Sequence, residues 1–169
     1  MPAWPHRLDD TDGIYIRVNG QWRHLYRAVD SRGQTIDFLL SAKRDAAAAR
    51  RFFRKALNQP HTVNPRRITV DKNAAYPSAT KAMKQAGELW RFSKLRRAKY
   101  LNNIVEQDHR RIKRLVRPGL GFASFHTARR TLAGYEIMAM MRKGQVSAVP
   151  ANDMAAQSTF VATLFGAAA

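Results

Sequence analysis

The feature that most constrains this chain is a change in the period of its apolar residues. Over residues 14–18, Ile14, Ile16 and Val18 alternate with Tyr15 and Arg17, and Asn19-Gly20 follows directly. Period two ending in this dipeptide predicts a strand entering a tight hairpin, because both turn residues tolerate positive φ. A second strand is expected over about 22–29. The turn Asp30-Ser31-Arg32-Gly33 then leads to a third over about 35–40, with Ile36, Phe38 and Leu40 on one face. The result is a three-stranded antiparallel meander. From Asp45 the period becomes 3.6, with Ala49, Phe52, Phe53, Ala56 and Leu57 on one helical face until Asn58-Gln59-Pro60 stops it.

Beyond a polar loop, Ile68 and Val70 alternate with Arg67 and Thr69 in a short strand that delivers Asp71 at its C-terminal end. A helix is expected over about 77–85, with Pro77 in its first turn and Gly87 at its exit. Residues 91–117 form the densest basic stretch, read as a connection, with a helix starting near Asn103. A long helix follows over about 124–143, with Phe125, Leu132, Ala133, Ile137, Met140 and Met141 on one face and Gly144 ending it. The Ala-rich, charge-poor residues after it carry no fold signal beyond a short helix. Antiparallel strands followed by a crossover helix into a further strand predict an α/β fold with a mixed sheet rather than a bundle.

The charge balance narrows the partner. The 169 residues hold 30 Lys+Arg against 12 Asp+Glu, a formal charge of +18. Such an excess implies a polyanion, since neutralising phosphates releases counterions and supplies sequence-independent affinity for nucleic acid. A ribosomal or other RNA-binding protein satisfies the same balance. The absence of cysteine excludes disulfides and thiolate zinc sites, and the five histidines show no metal-ligand spacing. No apolar run is long enough to span a bilayer, and residues 1–11 lack the apolar segment of a signal peptide, so a cytoplasmic protein without membrane association is expected.

In so basic a chain the scarce carboxylates are informative. Asp12, Asp71 and Glu106 interrupt basic or apolar segments; residues 72–105 separate the last two, and Lys113 lies seven positions beyond Glu106. Hard cations such as Mg²⁺ take carboxylate oxygens, and a pair of cations can clamp the attacking and leaving oxygens of a phosphodiester. If the strand ending at Val70 pairs parallel beside the first strand, Asp12 and Asp71 approach one another. Two of the three also have a plainer role open to them. Asp71 can cap a helix or start a turn, and Asn103 with Glu106 has the spacing of a capping box. Glu106, Arg110 and Lys113 fall on one helical stripe, which suits either cations directed at DNA or a solvated ion-pair face. Trp90, Phe92 and Tyr100 interleave with the basic residues, where they either stack on bases or pack under the sheet.

Five blocks carry a family resemblance: residues 12–22, 25–33, Ile68-Thr-Val-Asp-Lys-Asn73, 99–114 (containing Asn-Ile-Val-Glu106-Gln-Asp-His-Arg-Arg-Ile-Lys113) and Arg142-Lys-Gly-Gln145. Over about 12–147 the chain resembles the DDE transposases of insertion sequence family six. The resemblance implies a ribonuclease-H-like core with a mixed sheet flanked by helices. It also implies DNA hydrolysis at element ends, joining of the freed 3′-hydroxyl to target DNA, and homo-oligomers in a synaptic complex. It assigns Asp12, Asp71 and Glu106 as catalytic ligands of Mg²⁺ or Mn²⁺, and Lys113, Arg110, Arg111, Arg114, Lys99 and Arg97 as DNA contacts.

The expected organisation is a leader over 1–11, the core over 12–147 and a tail over 148–169. Two departures from the family pattern stand out. The first aspartate is followed by Gly13-Ile14 rather than Glu-Thr, and Asp9 stands where the family has Trp; an alternative register, with Arg7-Leu8-Asp9-Asp10-Thr11 on the motif and residues 12–14 inserted, makes Asp9 a rival first carboxylate. The chain also begins where the family's catalytic core begins, without the helix-turn-helix region that reads terminal repeats. That reading expects a truncated copy, either still catalytic or a DNA-binding remnant that interferes with an intact transposase.

Overall fold

The computed structural model describes residues 10–60, 62–98, 103–147 and 149–164, with side chains for all of these except 10–13 and 103–105. Strands β1 (Asp10–Val18), β2 (Gln21–Val29) and β3 (Thr35–Ser41) form the expected meander. Asn19 at φ 48° and Gly20 at φ 72° make the first turn. In the second, the Asp30 carboxylate accepts from the N–H groups of Arg32 and Gln34, both at 2.9 Å, and Gly33 takes φ 77°. Helix α1 (Ala46–Leu57) is capped by the Asp45 side chain, which accepts from Ala48 N at 2.8 Å. Strand β4 (Arg67–Val70) then runs parallel to β1, and α2 (Ala75–Gln85) follows.

The stretch read as a basic connection contains a fifth strand, β5 (Lys94–Arg97), parallel to β4. Its four residues hold one apolar side chain, Leu95, and among the described residues it is the outermost strand, paired with β4. Sheet order is β3-β2-β1-β4-β5. Helix α3 (Asn103–Val116) leads through a single turn of 3₁₀ helix to α4 (Phe125–Arg142), capped by Ser124, and a last helix α5 (Met154–Leu164) follows. Asn103 is the first residue of α3 rather than the residue before it.

Two cores sandwich the sheet. On one face α1 and α2 bury Phe52, Phe53, Tyr76 and Met83 against Tyr26, Ile68 and Val70. On the other, α3 and α4 bring Ile112, Ala128 and Leu132 onto Ile14, Ile16, Val18 and Leu25. Strand β2 is thus covered on both faces, and most of its residues are buried. The phase of α4 differs from expectation: Ile137 is 51% exposed, whereas Glu136 is fully buried, because Glu136 has an ionic partner in the sheet. Trp90 and Phe92 do not pack under the sheet either; both are exposed and meet edge to face at 5.3 Å.

Gly121, at φ +119°, lies where a Cβ would come within 2.9 Å of the Arg17 carbonyl, beside the bonds Asn19 N to Phe122 O (2.7 Å) and Phe122 N to Arg17 O (2.9 Å). Gly121→Ala therefore destabilises the chain by about 1–3 kcal/mol in denaturant titration. Glu88 binds Arg54 and Arg50, which tie α1 to the turn after α2, and these bonds hold its carboxyl down to about 2 from an ordinary 4.5. Because the folded value is the lower one, the contribution is whole above about pH 4.5 and fades as pH falls towards 2. The melting-temperature gap between the parent and Glu88→Gln is accordingly widest above pH 5 and closes by about pH 2.

Candidate active site

Among the described residues, the rung joining β1 to β4 is Thr11 to Val70. The strands run parallel, so the next residue on each is an aspartate: Asp12 on β1 and Asp71 just past the end of β4. Neighbouring strands lie about 4.8 Å apart. Asp71 is part-buried. Its Oδ1 accepts from Asn73 N at 2.8 Å, and its Oδ2 is paired with the Arg44 guanidinium. Both the turn role and the neighbouring-aspartate arrangement weighed for Asp71 are therefore present together.

Across β1 on its other side, Asp12 is the rung partner of Arg27. The buried Arg27 donates from Nη2 to Asp108 of α3 at 2.7 Å. Glu106 lies two residues before Asp108 on that helix, in its first turn, with its side chain 37% exposed. Strand register and one buried ion pair thereby bring the three expected acidic positions to the same end of β1. Among the described side chains, which exclude Asp12, no cluster of three metal-ligating groups is assembled. The donor set nonetheless fits a hard divalent cation: carboxylates only, two on adjoining strands and one on the helix packed over them.

The cations around these positions divide by role. Arg110 reaches Glu106 at 3.8 Å along the expected stripe and is largely exposed. Arg97 donates to the Lys72 carbonyl at 2.6 Å, beside Asp71. Arg114 is exposed, Arg111 is partly covered, and Lys99 lies outside the described residues, as do Asp9 and Tyr100. Lys113 stands at a cleft of about 520 Å³ that runs along β1 past Ile14 and Ile16 to Trp22 and Arg117. A cationic rim beside the strand carrying Asp12 suits a phosphate backbone.

Sequence reasoning missed Arg44. It sits between β3 and α1, bonds Tyr15 Oη through Nη1 at 3.2 Å, and pairs with Asp71. Burial acts to lower its affinity for a proton, but the Tyr15 bond and the Asp71 charge outweigh that and raise it, so Arg44 stays charged. A fixed cation on Asp71 competes with a metal for the same oxygen. Arg44→Gln is expected to tighten Mn²⁺ binding by up to about tenfold in calorimetric titration, the scale of one partly exposed ion pair. Unchanged or weaker binding would show that Arg44 orients Asp71 rather than competing for it.

A DDE domain model, that of the IS240 transposases, matches residues 5–145. The chain belongs to the DDE transposases of insertion sequence family six. It is 36% identical over 147 residues to the transposase of the insertion sequence-like element IS431mec of Staphylococcus aureus, a match covering 83% of this chain and 59% of that protein. The same figures hold for the transposase of element IS257 in transposon Tn4003. It thus spans about three-fifths of the length of these family members. An uncharacterised protein of Yersinia pseudotuberculosis, pYV0051, is 42% identical over 77 residues, covering 44% of this chain and 71% of that one.

Among solved structures, the HTLV-2 integrase catalytic core domain in complex with magnesium superposes with a TM-score of 0.54 at 14% identity. The match covers 82% of this chain and 84% of that one. This likeness shows the fold, which is ribonuclease-H-like as the family resemblance implied. No helix among the described residues is long and apolar enough to cross a membrane.

Proposed function

We propose that this chain carries the catalytic core of a cointegrate-forming transposase, acting in the cytoplasm on the ends of its element and on target DNA. The observation that carries the reading is the parallel register that sets Asp12 beside Asp71, with Glu106 on the helix packed over that part of the sheet. Asp12, Asp71 and Glu106 would hold Mg²⁺ or Mn²⁺. When bound, such ions activate the attacking oxygen and neutralise the leaving one.

The chain's own residues do the rest. Lys113 holds the phosphate next to the scissile position, and Arg110, Arg111, Arg114, Arg97 and Lys99 hold the backbone on either side. The attacking group is first water and then the freed 3′-hydroxyl, with no covalent protein–DNA intermediate. Both element ends require a homo-oligomer of such cores. Residues 12–147 form the unit that does this, preceded by a leader over 1–11 and followed by a tail over 148–169.

A second reading, a DNA-binding remnant without catalysis, draws on the Arg44 guanidinium paired with Asp71 and on Gly13-Ile14 beside Asp12. Mg²⁺ or Mn²⁺ titration with duplexes bearing candidate element ends separates the two. Metal-dependent cleavage and strand transfer, lost in Asp71→Asn, support the catalytic reading. Salt-sensitive binding without products at any metal concentration supports the remnant.

A further inference from the structure

Arg27 is the largest fully buried side chain among the described residues. Its Nε and Nη2 engage both oxygens of Glu136 on α4, and Nη2 also reaches Asp108 on α3. The second Asp108 oxygen takes Lys143 Nζ at 2.6 Å, and Lys143 in turn donates to Thr35 Oγ1 at 3.1 Å. Gln145 clasps the backbone of Thr35, accepting from its N–H at 2.9 Å and donating to its carbonyl at 2.8 Å. Two cations and two carboxylates thus close a cluster without net charge. It uses residues from three of the sequence blocks that catalysis leaves without a role: Arg27, Asp108, and Lys143 with Gln145.

Packing does not account for such a cluster. Desolvating the charges offsets most of their mutual attraction, and apolar side chains of similar volume commonly hold two layers together as well or better. Position accounts for it. Arg27 is the rung partner of Asp12, and its strongest link to α3 falls two residues from Glu106. Its Nη1 is buried without an acceptor among the described residues, a donor left over on the side chain that neighbours the first carboxylate position. The guanidinium fork bridges α3 and α4 at fixed angles, which the single ammonium of a lysine cannot do. Because Asp108 and Glu136 neutralise it, Arg27 can stand beside a metal site without repelling the metal.

We propose that Arg27 is a positioning residue of the carboxylate site, fixing the rotation of α3, and with it Glu106, against β1 at Asp12 and holding its remaining N–H for a carboxylate of that site. This rests on the reading of Asp12, Asp71 and Glu106 as metal ligands. The test pairs Arg27→Met/Glu136→Leu, which replaces the buried pair with apolar volume and leaves Asp108 on Lys143, with Arg27→Lys, which keeps the charge and loses the fork. Mn²⁺ affinity by calorimetry, melting temperature, and salt-dependent DNA binding are measured for each.

The expected result is a folded double variant with unchanged DNA binding and Mn²⁺ affinity weakened about 10–100-fold, and a weakening of at least about tenfold in Arg27→Lys. Mn²⁺ affinity within about twofold of the parent in both variants would reduce Arg27 to a structural residue and overturn the proposal. If the double variant does not fold, Arg27→Lys decides alone by the same criterion. A parent chain that binds no Mn²⁺ would instead refute the metal-site reading itself, and this proposal with it.

Discussion

Glu106→Gln is expected to abolish metal-dependent DNA joining while leaving DNA binding, and its dependence on salt, unchanged. Glutamine keeps the size and helix preference of glutamate but removes the charge that would hold a cation. Losing several kcal/mol of transition-state charge stabilisation slows the reaction by at least about a thousandfold. DNA affinity survives because it comes from the surrounding cations, a net +18 over the chain, and the substitution only adds to that balance. The side chain is part-exposed and its ionic neighbour among the described residues, Arg110, is 3.8 Å away, so little folding stability is at stake. Gel assays of joining and binding on one duplex check both halves. Joining at the parent rate would remove Glu106 from the catalytic set.

The largest effect on stability is expected at Glu136. Its carboxylate is fully buried and holds two nitrogens of Arg27. Burial acts to lower the affinity of Arg27 for its proton, but the Glu136 bonds and the charges of Glu136 and Asp108 outweigh that and hold the proton more tightly than usual. Glu136→Ala removes that compensation and leaves a buried guanidinium held mainly by Asp108. Breaking one side of a buried pair costs about 3–5 kcal/mol. For a chain of this length that is a fall in melting temperature of roughly 6–20 °C. Differential scanning calorimetry reads it directly, and a fall of less than about 2 °C would mean that water or rearrangement rescues Arg27.

Legibility followed the range of the interactions involved. The Asn19-Gly20 hairpin and the apolar face of α1 depend on neighbours within a few residues, and both can be read from the sequence. Strand β5 cannot: Lys94-Leu95-Arg96-Arg97 has no alternating apolar pattern, and it is a strand because β4 offers it a ladder. The phase of α4 was misread for a related reason. Counting charge as outward places Ile137 inside, whereas the pairing of Glu136 with Arg27, 109 residues away in sequence, turns the helix so that the acid is buried.

The candidate site divides in the same way. Asp12, Asp71 and Glu106 stand out in a basic chain and coincide with family blocks, and the sheet register then sets the first two side by side. Arg44 and Arg27 give no local signal, since one meets Asp71 from the loop before α1 and the other lies in a strand that also carries Gln21, Arg23 and His24. A lone acid on the stripe Leu132, Glu136, Ala139 was the one hint that an opposite charge had to lie inside.

If Asp12, Asp71 and Glu106 bound one shared metal site, any cation placed there lies close to all three. Carboxylate sites that take Mg²⁺ also accept Fe²⁺, and Fe²⁺ with ascorbate and peroxide cuts the backbone next to where it binds. The account predicts three cuts, near residues 12, 71 and 106, all suppressed by excess Mg²⁺ and all lost together in Asp71→Asn. Cuts confined to other parts of the chain, or cuts near 12 and 106 that persist in Asp71→Asn, would contradict it.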